Sequence, residues 1–283
     1  MNKDIFHKTF IELTSRTYPY GTESQLDIFK YLKEYTFDGD NVMVNIGNSR
    51  TIFTSHLDTY TSTVEDIHHS LKGDFIHTDG SSILGADDKA GVLIMLYMIE
   101  NKIPGNYIFF TGEERGGVSS RRFTEVPETS KWIKHNIDRI IAFDRGGYNQ
   151  IVTSFYGTSG CSKLFAKNLK SRNFKISGKE FKLVDGRFCD ATNFIDFVPE
   201  CVNLSVGYFK EHTVEECVDM KYLYEIAKVY SNIEWELLTP HRNLKPILSH
   251  SEIKEQYVSI LDYSELMLDE LDGDIDVDIN MVS

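Results

Sequence analysis

Apolar and polar positions follow two rhythms along this chain. Over residues 2–16 and 23–35 the apolar side chains recur at helical spacing, which predicts two amphipathic helices. Short runs follow at "NVMVNIG" and "RTIFTSH" and predict strands. A helix is expected from Asp88 to about Glu100, then a strand at "NYIFFTG", a helical patch near "ETSKWIKHN", and strands at "RIIAFD" and "QIVTSFYG". Beyond these come a helix over 159–172, a strand at "EFKLVDG", a short helix at "ATNFIDF", a strand at "CVNLSVGYF" and a long helix over 219–238. Several of the strands are apolar nearly throughout and are separated by helices. That is the pattern of an α/β protein whose mainly parallel sheet is covered on both faces.

Composition narrows the class without deciding the function. The 283 residues are 41% hydrophobic and 26% charged, as in an ordinary globular chain able to bury a sizeable core. The longest wholly apolar run, "VLIMLYMI" at 92–99, is far shorter than the ~20 residues of a membrane span. The opening stretch has no continuous apolar region of a secretory signal, so a cytoplasmic setting is expected. Cys161, Cys189, Cys201 and Cys217 are widely spaced with no C-x-x-C pair, which suits reduced thiols there.

A formal net charge of −13 argues against nucleic acid or an anionic membrane as partner. Eight acidic residues and no Lys or Arg lie in 256–283, leaving −5 for the rest. A single domain over 1–255 with an acidic appendage over 256–283 is therefore expected. That appendage reads as a solvated tail or edge strand, because it lacks the spacing of a calcium loop.

Polar clusters sit where the apolar strands end. They are His56 and Asp58 in "TSHLD", Asp87 and Asp88 in "GADD", Glu113 and Glu114 in "TGEE", Asp144 in "AFD" and His212 in "KEHT". From His56 to Asp87, Asp87 to Glu114 and Glu114 to Asp144 the intervals are 31, 27 and 30 positions, close to the ~30 residues of one βαβ unit. Such spacing returns the chain to the same edge of a sheet, where α/β folds bind ligands. Taken singly, each residue has an ordinary reading: Asp87 or Asp88 as a helix cap, His56 as a core histidine, Asp144 as a turn residue. Taken together, so many carboxylates call for a neutralising cation. Mixed His and carboxylate donors suit zinc, with cobalt or manganese as substitutes. The set is too large for one ion with an open position, but two ions about 3.5 to 4 Å apart with a bridging carboxylate would use it.

In this order, His56-Leu57-Asp58, Gly85-Ala86-Asp87-Asp88-Lys89-Ala90-Gly91, Gly112-Glu113-Glu114, Asp144 and His212 resemble the co-catalytic di-zinc exopeptidases, above all the peptidase T group. The resemblance spans about residues 50–220. It implies a three-layer αβα sandwich with a central, mainly parallel mixed sheet. It implies that His56 and Asp144 hold one zinc, Glu114 and His212 the other, and Asp87 bridges them. Asp58 would orient His56, and Glu113 would be the general base. The peptide after Asp87 would be cis. Many relatives insert a lid or dimerisation domain, but the intervals here leave no room for one, so a lidless single-domain form is implied. Asp at position 144 goes with aminopeptidases and short peptide substrates, the alternatives being an amidohydrolase or carboxypeptidase of the same clan, or a non-catalytic binding protein of this fold. The stretch "DGRFCDATNF" resembles a segment beside the metals in relatives, which makes Arg187, Asp190 and Asn193 candidate substrate contacts; a surface turn and helix cap reads equally well.

Overall fold

The apolar runs become strands because both their faces are covered, and the amphipathic stretches supply the covers. The computed structural model describes residues 1–244, which form one compact unit; the acidic appendage expected over 256–283 lies outside the described residues. In chain order the strands are β1 (Thr36–Phe37), β2 (Val42–Ile46), β3 (Thr51–His56), β4 (His69–Lys72), β5 (Phe75–Thr78), β6 (Gly105–Phe110), β7 (Arg139–Arg145), β8 (Gln150–Phe155), β9 (Thr158–Ser159), β10 (Lys182–Gly186), β11 (Glu200–Ser205), β12 (Tyr208–Phe209) and β13 (Cys217–Asp219). The helices are α1 (Lys3–Leu13), α2 (Ala86–Glu100), α3 (Val118–Glu125), α4 (Pro127–Asn136), α5 (Lys163–Ser177) and α6 (Met220–Ser231).

The main sheet runs β1-β2-β6-β3-β7-β11-β8-β10, with β9 beside β8. Its centre, β6-β3-β7-β11, is parallel throughout, whereas β2 runs against β6 and β8 against β11. The sheet is therefore mixed and mainly parallel in its middle. That arrangement brings the carboxyl ends of β6, β3 and β7 to one edge.

Side chains alternate between two cores. Phe53, Phe109, Ile141 and Phe143 face α1, α2 and α6, where Phe6, Phe10, Leu93 and Tyr230 meet them. Ile52, Phe110, Ile140 and Ala142 face the other way, onto Phe123 of α3, Ile133 of α4 and Phe194. Each fully buried Phe or Leu contributes about 1.5 to 3 kcal/mol relative to exposure, so the two cores hold the edge that carries the polar clusters.

Several expectations shift at element ends. The helix expected from 159 starts at Lys163, because Thr158–Ser159 pairs with β8 and the Ser162 side chain caps α5 by accepting from Phe165 N. The long helix over 219–238 ends at Ser231 and resumes only as a 3₁₀ turn, Trp235–Leu237. The stretch 23–35 forms a 3₁₀ helix, Glu23–Tyr31, rather than an α-helix. A second sheet, β12-β13-β5-β4, takes β12 from the end of the strand expected at "CVNLSVGYF", while β4, β5 and β13 are invisible to periodicity because they have three or four residues and β4 buries none of them. His69 and His77 lie on β4 and β5.

Gly91 shows how closely α2 is pressed to β7. A Cβ there would fall 1.9 Å from the Phe143 carbonyl oxygen and 2.6 Å from Asp88 Oδ1. Both neighbours are fixed, so Gly91→Ala is expected to destabilise the protein by about 3 kcal/mol or more, as severe overpacking does. A urea titration checks this: the midpoint should drop at constant slope, and an unchanged midpoint would contradict the packing.

Candidate metal centre

Parallel pairing positions the donors. His56 is the last residue of β3 and pairs with Phe110, the last of β6. Two residues past Phe110, Gly112 (φ 77°) turns the chain into the 3₁₀ turn Glu113–Arg115. Asp144 is the penultimate residue of β7. Asp87 stands at the head of α2, where Asp87 and Asp88 keep non-helical backbone and their shared peptide is cis, as the resemblance implies. His212 comes from the loop between β12 and β13, with φ at 64° in the left-handed region, a conformation uncommon outside glycine.

These residues converge. His56 Nε2 lies 3.1 Å from Asp87 Oδ1 and 3.8 Å from Asp144 Oδ1. His212 Nε2 lies 3.3 Å from Asp87 Oδ2 and 2.9 Å from Glu114 Oε1. Asp87 thus offers one oxygen to each histidine. Donor atoms of His56, Glu113 and Glu114 also fall within 4.8 Å of one another. Ligands at about 2.0 to 2.1 Å in a tetrahedral shell sit roughly 3.4 Å apart, so the observed spacings bracket what a zinc-sized ion needs. The residues present therefore fit two divalent cations sharing Asp87.

Asp88 also has a carboxylate oxygen within 4.8 Å of donor atoms of His56 and Asp144, but its oxygens are engaged elsewhere. Oδ2 accepts from Ser55 Oγ and from His56 N, and Oδ1 accepts from Gly91 N at 3.0 Å. Asp88 is the helix cap, which leaves Asp87 facing the histidines.

The surroundings orient each donor. His56 Nδ1 is 3.0 Å from the Asp58 carbonyl oxygen and 3.4 Å from its carboxylate. A carbonyl acceptor requires the proton on Nδ1, which frees Nε2 as a lone-pair donor. The Asp58 carboxylate also anchors a neighbouring loop, with Oδ1 accepting from Gly112 N and Glu113 N, and Oδ2 from Glu114 N. It holds the turn that carries Glu113 and Glu114 as much as it orients His56. Tyr208 Oη donates to Asp144 Oδ1 at 3.1 Å, while Asn203 bonds both the N–H and the carbonyl of Asp144.

Glu216 is a supporting residue that the sequence did not reveal. It is buried, and its carboxylate accepts from Gly85 N at 2.7 Å and Asp87 N at 2.9 Å, pinning the bend ahead of α2. In "EHTVEE" it reads only as another loop acid, since nothing local marks a glutamate for burial.

Electrostatics follow from packing so many acids together. Burial, followed by the Asp87 and Asp88 charges, raises the Asp144 carboxyl well above the carboxylate range. Burial does the same to Glu113 and, more mildly, to Glu114. It pushes Glu216 up to about 8 and pulls the buried Lys89 ammonium down to about 8. Burial opposes charging of His56, but the Asp58 and Asp87 partners outweigh it and hold that histidine well above its ordinary value. Hydrogen bonds to Asp87 and Glu114 raise His212 to about 10.

The candidate substrate residues divide. Asp190 is buried, with Oδ1 lacking a hydrogen-bond partner and burial pushing its carboxyl up to about 7. Asn193 donates to Ser120 Oγ at 2.8 Å and to the Gly117 carbonyl, so it braces the loop after Glu114 rather than standing free. Arg187 is exposed in the segment between β10 and Asp190.

Asp58→Asn tests the loop anchor. An amide presents one donor where two oxygens now accept three N–H groups, and each charge-assisted bond is worth about 1.5 to 3 kcal/mol. A loss of metal affinity of about 10- to 100-fold is expected, as for other partners that orient ligands. Competition against a chromogenic chelator measures it, and wild-type affinity would contradict the role.

Comparison with known proteins adds the fold. Neither a protein-family model nor a curated protein sequence matches the chain. Solved structures do. The aminopeptidase PepT of Bacillus cereus superposes with a TM-score of 0.71 at 18% identity, covering 84% of this chain and all of that one. A tripeptidase of Staphylococcus aureus gives 0.65 at 17% identity, covering 82% and 97%. A Thermotoga maritima protein called an endoglucanase gives 0.56 at 10% identity, covering 81% and 98%. The chain thus has the zinc exopeptidase-like α/β fold of the peptidase T structures over most of its length, and at these identities the likeness speaks for the fold alone.

Proposed function

We propose that this protein is a di-zinc metallo-exopeptidase acting on short peptides, as an aminopeptidase or a di- or tripeptidase. One observation carries the reading: the Nε2 atoms of His56 and His212 face opposite oxygens of Asp87, with Asp144 beside the first and Glu114 beside the second. His56, Asp87 and Asp144 would hold one ion, and Asp87, Glu114 and His212 the other, with cobalt or manganese as substitutes for zinc. Such ions supply Lewis acidity and neutralise the crowded carboxylates.

The chain's own groups do the rest. Glu113, next in sequence to a ligand, has its carboxylate beside His56 and is the general base: it takes a proton from the attacking water and delivers it to the leaving amine. Asp58 fixes the backbone of that turn, and Tyr208 fixes Asp144. Asp190 places a buried carboxyl near Glu113, where it can meet a polar group of the substrate. Among the described residues no helix is long and apolar enough to cross a membrane, and four free cysteines suit a reducing, cytoplasmic setting.

Elemental analysis run beside hydrolysis assays tests the proposal. Two equivalents of zinc should accompany release of N-terminal residues from unblocked peptides. Cleavage confined to N-acylated amino acids would move the reading to an amidohydrolase of the same clan. Release from no peptide, or cleavage of a soluble glucan instead, would overturn it.

A further inference from the structure

Beside the His212 cluster lies a cavity of about 230 Å³ walled by Tyr20, Tyr60, Ser62, Glu114 and Arg115. Glu114 belongs to both the cavity and the cluster, so the two adjoin. The aromatic walls are tied to the centre itself. Tyr60 stacks on the His212 imidazole with centroids 4.2 Å apart and planes 19° from parallel. Tyr20 packs on Gly112, where a Cβ would come within 2.7 Å of its ring, so only glycine admits it there.

Arg115 closes the same 3₁₀ turn that carries Glu113 and Glu114. Successive residues of such a turn point about 120° apart, so the chain that sends Glu114 to His212 sends Arg115 another way, to the cavity wall. Its guanidinium is exposed and makes no ion pair among the described residues, whereas nearby Arg122 pairs with Asp40 and Arg121 donates to the Gly116 carbonyl. The acids in the wall are already engaged: Asp58 by three backbone N–H groups and Glu114 by His212. An uncommitted guanidinium and a serine hydroxyl are the chemistry that receives a carboxylate, and the two tyrosine rings wall the space beside them.

We propose that this cavity is a substrate subsite for a carboxylate and that Arg115 determines the specificity. The inference rests on the peptidase reading and deepens it by naming the charge its substrates carry. The carboxylate is either the peptide's terminus or an acidic side chain.

Four peptides separate these sources: tri-alanine, its C-terminal amide, Glu-Ala-Ala amide and Ala-Glu-Ala amide. Zinc-loaded wild type should favour one carboxylate-bearing peptide over tri-alanine amide by about 10- to 100-fold, the worth of a charge-assisted contact. Arg115→Gln should abolish that preference through KM, and Arg115→Lys should restore part of it. Calorimetry of the same peptides with zinc-loaded Glu113→Gln, alone and combined with Arg115→Gln, reads the subsite without turnover. A preference there that vanishes with Arg115 supports the subsite even if no peptide is cleaved. Cleavage of all four peptides with equal KM overturns the subsite and leaves the peptidase reading standing. Loss of the preference in Arg187→Gln but not in Arg115→Gln also overturns it.

Discussion

Glu113→Gln is expected to keep two equivalents of zinc while losing about 10²- to 10⁴-fold in kcat, the usual worth of a general base. Glutamine preserves the shape of the side chain and the turn held by Asp58, so only the capacity to take a proton is removed. In the proposed arrangement the ligand sets around Asp87 do not need Glu113: His56 with Asp144 on one side and His212 with Glu114 on the other would complete them. Burial raises the proton affinity of the Glu113 carboxyl, a shift in the direction that favours accepting a proton from water. Metal content and kcat measured on one preparation decide the case. Wild-type turnover would assign the base elsewhere, and a missing zinc would make Glu113 a ligand.

Asp87→Ala is expected to remove at least one of two zinc equivalents and to reduce turnover on the order of 10³-fold or more, because one side chain faces both histidines and the proposed chemistry uses both ions. The bend that carries it should survive. Glu216 grips the Asp87 backbone N–H, not its side chain, and Asp88 remains as the helix cap. Circular dichroism should therefore match the wild type while metal content falls. The opposite result, full metal with a lost helix, would return Asp87 to the role of a cap.

How much of this was legible beforehand differs by residue. His56, Glu114 and Asp144 stand out in sequence because they follow apolar runs, whereas Asp87, expected at a strand end, stands at the head of α2 after the β4–β5 hairpin and His212 lies 68 positions beyond Asp144 in a loop; the structure brings those five together at one edge. Asp58 was visible as a partner of His56, but its hold on three N–H groups of the Gly112–Glu114 loop was not, since those groups lie over fifty residues away. Glu216 and Tyr208 gave no signal. A buried glutamate and a buried tyrosine look like exposed ones until the element packed against them is known. Asn193 is a candidate substrate contact in the sequence, but its bonds to Ser120 and Gly117, over seventy residues away, are seen only in the fold. The short strands β4, β5 and β13 escaped because three or four residues hold too few periods to register, and the single strand expected at "CVNLSVGYF" divides into β11 and β12.

By itself, then, the sequence determined the element types and the stock of donors. Buried strands need only apolar runs, helices only a periodic stripe, and a cation site only enough histidines and carboxylates at strand ends. Tertiary structure alone decided which donors meet. The order β6-β3-β7-β11 sets His56 between the Glu114 turn and Asp144, and packing of α2 on β3 and β7 drops Asp87 between the two histidines. The physical reason is distance along the chain. Periodicity reports which face of an element is buried, while the side chain it meets there comes from a strand or loop dozens of residues away, chosen by the packing of the whole sheet.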